Sequence, residues 1–89
     1  MKVASKVKVK NALGLHTRPA AFIVKLLQPR KSMVTFTYKS ETINARSIMS
    51  ILMLAAKKNA QILITVDGED AEATMAYLIS AFEQEFGEK

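Results

Sequence analysis

Residues 34–44 read Val-Thr-Phe-Thr-Tyr-Lys-Ser-Glu-Thr-Ile-Asn, and most of the architecture follows from them. Val34, Phe36 and Tyr38 alternate with Thr35 and Thr37, the period-2 pattern of a strand, in a composition rich in β-branched and aromatic residues. After Lys39-Ser40-Glu41 a shorter run, Thr42-Ile43-Asn44, pairs back as a hairpin. The turn lacks Asn-Gly, so its type stays open. Two consecutive strands with no helix between them call for an antiparallel sheet.

The flanking sequence is assigned around that pair. Val7 and Val9 alternate with Lys6, Lys8 and Lys10, a strand with a solvated lysine face, and Asn11-Ala12-Leu13-Gly14 breaks it. From Pro19 to Leu27 the spacing of Ala20, Ile23, Val24 and Leu27 predicts a helix with proline in its first turn, ended by Gln28-Pro29-Arg30-Lys31-Ser32. Beyond the hairpin, Ser47 stands as an N-cap before a helix over Ile48–Ala56, with Lys57-Lys58-Asn59 suited to its C-terminus. Ile62, Ile64 and Val66 alternate with Leu63 and Thr65 as a fourth strand, and Asp67-Gly68 turns into a last helix. There Met75, Leu78, Ile79, Phe82 and Phe86 form the apolar stripe. The expected fold is α+β and two-layered, with a four-stranded antiparallel sheet covered on one face by three helices.

The 89 residues are 49% hydrophobic and 24% charged, which suits one domain over 1–89. A chain this short buries only ~60–65% of the surface it exposes when unfolded, so any chemistry belongs near the surface. With no cysteine and one histidine, a disulfide framework and a structural zinc site are excluded, and neither a metal nor a cofactor is expected. Neither an apolar signal core nor a run approaching the ~20 apolar residues of a membrane span is present, which predicts a soluble cytoplasmic protein without membrane insertion. The net charge of +5 is polarised. Residues 1–46 hold ten Lys/Arg and one acid, Glu41, for +9, whereas residues 47–89 hold three Lys and seven acids, for −4. An acidic protein, an anionic lipid surface and a nucleic acid would each be attracted to such a molecule.

The lone histidine sits in Gly14-Leu15-His16-Thr17-Arg18-Pro19, where a strand-ending turn meets a helix start. Unpaired N–H groups and the positive end of the helix dipole favour a neutral imidazole there and welcome an anion beside it. Arg18 adds a donor fork matched to phosphate oxygens, and Gly14 lets the backbone turn tightly. The residues thus describe either a phosphoryl acceptor, stabilised by Arg18 and by the backbone amides of Thr17 and Arg18, or a histidine that only caps the helix. No acid lies close in sequence, since the first half offers only Glu41. Ile48–Ala56 is apolar on every side except Ser50, which a one-sided sheet cover cannot bury entirely. Ile51 and Leu54 are expected in the core and Ile48, Met49 and Leu52 in an exposed docking patch; a well-packed helix is the alternative. Ser47 is a cap or a modification site. Phe36 and Tyr38 suit the core better than a base-stacking platform, and no nucleic-acid partner is expected.

The chain resembles HPr, the histidine-containing phosphocarrier family of the phosphoenolpyruvate-dependent sugar phosphotransferase system. Gly14-Leu15-His16-Thr17-Arg18-Pro19-Ala20 is similar to its active-site signature, and Arg46-Ser47-Ile48-Met49 to the signature at its regulatory serine. The resemblance runs from about Val3 to Phe86 and implies an open-faced βαββαβα sandwich. It implies that enzyme I phosphorylates Nδ1 of His16, that Arg18 and the Thr17 amide steady the phosphate, and that the IIA domain of a sugar transporter receives it. Thr17, Ala21, Lys25, Arg46, Ile48, Met49 and Leu52 would form the docking face, with Lys57 near it. A kinase/phosphorylase would modify Ser47, and the serine-phosphorylated form would bind transcriptional regulators. A monomer is expected; a mainly regulatory module acting through Ser47 and a nitrogen-related branch are the alternatives. Thr17 stands where the family usually has alanine, Ser50 and Leu54 where glycines are common, and Lys39-Ser40-Glu41 where a glycine turn is frequent.

Overall fold

The lysine–valine alternation of the first residues forms β1 (Lys2–Lys8), with Val3 and Val7 against the core and Lys2, Lys6 and Lys8 exposed, in a computed structural model that describes residues 1–88. There follow α1 (Thr17–Leu27), β2 (Met33–Tyr38), β3 (Glu41–Asn44), α2 (Ile48–Met53), β4 (Gln61–Asp67), α3 (Ala71–Glu83) and a 3₁₀ turn over Glu85–Gly87. The strands make one antiparallel sheet in the order β1-β4-β2-β3. The three helices lie over one face, the βαββαβα arrangement expected.

The alternating residues of the strands supply the floor of the core. Val34 pairs with Val66 and Phe36 with Ile64, and all four are buried. Ile23 and Leu27 from α1, Ile51 from α2 and Leu78 and Phe82 from α3 close over them. Each such side chain stabilises the fold by about 1.5–3 kcal/mol relative to leaving it in water. The Phe36 and Phe82 rings meet edge to face, 5.8 Å between centroids. Tyr38 is half-buried, so the β2 aromatics belong to the core side of the sheet.

The loop between α1 and β2 is held from two sides. The Arg46 guanidinium donates to the carbonyls of Leu27, Arg30 and Ser32, each at 2.7 Å. Asp70, at the start of α3, accepts from the backbone N–H of Lys31 and of Ser32, both at 3.0 Å, and from the Ser32 hydroxyl. Led by the Ser32 hydroxyl and the Lys31 amide, these donors hold its carboxyl down at about 2.

Several boundaries differ from expectation. α1 begins at Thr17, two residues before Pro19, which still occupies the first turn. α2 stops at Met53: Leu54 remains right-handed at φ −62° and Ala55 turns to φ 53°, four residues before Asn59, which is also left-handed at φ 75°. Lys57-Lys58-Asn59 therefore lies outside the helix. Residues 56–60 are instead bonded to the segment before α1, with Leu15 N–H donating to Ala56 O at 3.0 Å, Asn59 N–H to Val9 O at 2.7 Å and Val9 N–H to Ala60 O at 2.9 Å. Backbone groups engaged this way cannot continue a helical ladder. Phe86 keeps the buried position of its stripe but not the helix, because α3 ends at Glu83 and both Glu85 and Phe86 take φ 54°. That reversal folds the Phe86 ring back to 4.8 Å from Phe82 and 5.8 Å from Phe22. In the β2–β3 hairpin Lys39 takes φ 57°, the conformation glycine ordinarily supplies.

Candidate functional site

Gly14 sets the approach to the histidine. It sits at φ 69°, and a Cβ there would strike the Ala56 carbonyl oxygen and lie 2.8 Å from Lys57 Cα. Only glycine lets the turn pass so close to the segment after α2, which brings the Lys57 backbone beside the loop. His16 then caps α1 with extended backbone (φ −80°, ψ −167°) and no side-chain cap bond. Its carbonyl accepts from Ala20 N–H at 3.0 Å, which starts the helical ladder. Pro19 brings no N–H, so the donors exposed at this helix end are the Thr17 and Arg18 amides.

The imidazole, 29% exposed, lies against a carboxylate that arrives from the other end of the chain. His16 Nε2 is 2.9 Å from Glu88 Oε2 and 3.1 Å from Oε1. An ionised carboxylate only accepts, so Nε2 carries a hydrogen, and whenever the ring is neutral the lone pair is therefore on Nδ1. Glu88 also accepts from Asn11 Nδ2 at 2.5 Å, and the same amide group donates to the Glu85 carbonyl at 2.9 Å. Arg18, whose side chain is largely exposed, brings Nε to 3.9 Å from Glu88 Oε2. Burial works against ionisation of Glu88, but the Asn11 amide, the His16 ring and the Arg18 charge together hold its carboxyl below the usual carboxylate range. Asn11, Ala12, Leu13, His16, Glu85 and Glu88 line a surface cavity of about 200 Å³. Two of its six lining residues are acids, and the Asn11 amide and His16 Nε2 are already engaged with the Glu85 carbonyl and the Glu88 carboxylate.

Asn11 and Glu88 were not among the expected site residues. Asn11 stood in the sequence only as part of a strand-breaking tetrapeptide. Glu88 is 72 positions from His16, and nothing local in either segment announces the contact. Glu41, the one acid of the first half, opens β3 instead.

The remaining expected residues divide between two roles. Thr17, Ala21 and Lys25 are exposed on α1, which packs against α2. On α2, Ile48 is 38% and Met49 68% exposed, while Ile51 and Leu54 are buried as expected. Leu52 differs from its expected place, being half-buried and packed against the core; Met53, 76% exposed, presents the apolar surface in its stead. Arg46 differs more: its guanidinium is engaged by three backbone carbonyls and is not free to meet a partner. Ser47 caps α2, its Oγ accepting from Ser50 N–H at 3.1 Å. Among the described residues no group of acids and histidine could hold a metal ion, and no helix is long and apolar enough to cross a membrane.

Residues 3–84 match the family described as PTS HPr component phosphorylation site. The chain is 48% identical over 80 residues to the phosphocarrier protein HPr of Chlamydia pneumoniae, covering 90% of this chain and 74% of that protein. It is 37% identical over 83 residues to the phosphocarrier protein HPr of Xylella fastidiosa, covering 93% of each. The crystal structure of HPr from Thermoanaerobacter tengcongensis superposes with a TM-score of 0.93 at 30% identity, over 98% of both chains.

Proposed function

The chain belongs to the HPr family, the phosphocarriers of the phosphotransferase system, and on that premise we propose that His16 takes a phosphoryl group from enzyme I on Nδ1 and passes it to the IIA domain of a sugar transporter. The observation that carries this reading is the Glu88 carboxylate on Nε2, which leaves Nδ1 as the free lone pair of the ring. In the acceptance step the Nδ1–P bond forms as the bond from phosphorus to the donor breaks. Nε2 keeps its hydrogen throughout, so the bond to Glu88 persists and balances the positive charge that develops on the ring. The Thr17 and Arg18 amides lie at the end of the helix where a phosphate is favoured, and the exposed Arg18 side chain is free to swing onto it. Delivery to a IIA domain reverses the same step, with the phosphate leaving Nδ1.

Ile48 and Met49, flanked by Thr17, Ala21 and Lys25 and by the exposed part of Leu52, form the docking face for both partners. Apolar surface rimmed by cations suits an acidic partner. Ser47 sits at the edge of that face, and a phosphate on it, placed by a kinase/phosphorylase, would keep the cap's acceptors while adding charge that repels such partners. The carrier works as a monomer in the cytoplasm. The test is incubation with phosphoenolpyruvate and enzyme I. An acid-labile, alkali-stable phosphate forms on the wild type, and none forms on His16→Ala; a wild-type chain that stays unlabelled overturns the proposal. If His16→Ala kept its biological activity while Ser47→Ala lost it, the chain would be a regulatory module instead.

A further inference from the structure

We propose that the free edge of β1, with the groove between β1 and α3, is a second docking site, which takes an extended acidic segment of a partner protein as a fifth strand of the sheet. β1 pairs with β4 on one side and with no strand on the other among the described residues. The hydrogen-bond parity of that edge follows from its two ends. Gly68 N–H donates to Met1 O at 2.8 Å, and Val9 N–H donates to Ala60 O at 2.9 Å. With Lys2 opposite Asp67 and Lys8 opposite Gln61, both bonds belong to the same register, so the odd-numbered residues of β1 exchange bonds with β4. The N–H and C=O groups of Lys2, Ala4, Lys6 and Lys8 therefore point away from the sheet. They are the ones an added strand would use.

Side-chain chemistry on the two sides of this edge specifies the occupant. On the open face, Lys6 is opposite Leu63 and Lys8 opposite Gln61, so neither has an acid across the ladder, and the ion pairs of the described residues involve only Glu88. Lys6 and Lys8 are two residues apart, about 6.7 Å along a strand, which is the repeat of every second residue in an incoming strand. On the helix side, Val3, Glu72, Met75, Ala76 and Ile79 line a cavity of about 260 Å³. Apolar side chains at the intervening positions of the incoming strand would fill it. Glu72 at its rim repels an acid on that side, so the partner's acids face the lysines and its apolar residues face α3. A second copy of this chain is disfavoured, because an antiparallel β1 pair would set lysines against lysines.

The test uses a capped seven-residue peptide alternating Glu and Val, titrated into the isotope-labelled chain and followed by NMR and amide hydrogen exchange. The proposal expects exchange at the outward-pointing amides of the edge, those of Ala4, Lys6 and Lys8, to slow at least tenfold. The amides of Val3, Ser5 and Val7, already bonded to β4, change little, and the Met75 and Ile79 methyls shift. Affinity falls with added salt and drops at least tenfold in Lys6→Gln/Lys8→Gln, a surface pair whose replacement leaves unfolding temperature within a few degrees. Shifts centred on His16 or Met49 would overturn the proposal, as would affinity untouched by the double substitution. So would lysine shifts without amide protection, the pattern of a merely anionic surface such as a phosphatidylserine vesicle. Slowed exchange of the even-numbered amides with chain concentration alone would make a second copy the occupant and overturn it as well.

Discussion

Replacing Arg46 separates a structural cation from a docking one. Its guanidinium meets three carbonyls at 2.7 Å, from Leu27, Arg30 and Ser32. A hydrogen bond to a charged donor contributes roughly 1.5–3 kcal/mol, and about 1 kcal/mol where water can reach the abandoned acceptor. Arg46 is only half-buried, so the lower figure applies. Arg46→Met, losing all three, should cost about 3 kcal/mol. Arg46→Lys keeps the charge but reaches one carbonyl at most, and should cost about 2 kcal/mol. For a domain of this size that is a fall in Tm of roughly 8–16 °C for the lysine variant. The total stability expected is about 4–13 kcal/mol, so most molecules stay folded at 25 °C. Thermal and urea unfolding should show the midpoint moving with the urea m-value unchanged. Phosphoryl transfer from enzyme I at 25 °C should keep its kcat/KM within about threefold. An Arg46→Lys chain that unfolded with the wild type would refute the clamp, and a tenfold rise in KM for enzyme I in that variant would return Arg46 to the docking face.

Gly14→Ala combines a left-handed backbone with a clash against Ala56 and Lys57, and should lose about 2–4 kcal/mol in urea unfolding together with most phosphoryl acceptance, since His16 is carried on that turn. Ala55→Gly relieves a left-handed residue at about 1–2 kcal/mol and costs about 0.5–1 kcal/mol in unfolded-chain entropy, so the unfolding midpoint should rise by the equivalent of about 0.5–1 kcal/mol. Asp70, whose folded-state pKa of about 2 lies below the ordinary 3.8, stabilises the fold above the unfolded pKa, and the contribution disappears as pH falls through 2. Asp70→Asn should accordingly be less stable than wild type at pH 7, with the two curves converging in acid when Tm is followed against pH.

How much could be read in advance depends on the range of the interactions involved. The strands declared themselves through alternation, because the two faces of a sheet strand differ at every step, and Val34, Phe36, Ile62, Ile64 and Val66 are buried as that pattern requires. Helix ends were harder. Ala55 carries no mark of a left-handed residue, and the segment that follows it is bonded through Ala56, Asn59 and Ala60 to Val9 and Leu15, far off in sequence. Phe86 fits a helical period, but periodicity is blind to a backbone that reverses at Glu85 while delivering the same ring to the core. His16 and Arg18 were legible as a motif. Arg46 was legible only as a charge, since a basic residue before a cap looks the same whether its fork faces a partner or three carbonyls of its own chain.

The pairing of His16 with Glu88 also orders events in time. The two are made 72 residues apart, so at ~5–20 residues per second the histidine waits about 4–14 s on the ribosome before its carboxylate exists. During that interval the nascent chain already displays the complete Gly14–Pro19 motif, yet lacks the group that fixes which ring nitrogen holds the hydrogen. Until Glu88 is made, the imidazole of residue 16 is free to hold its hydrogen on either ring nitrogen.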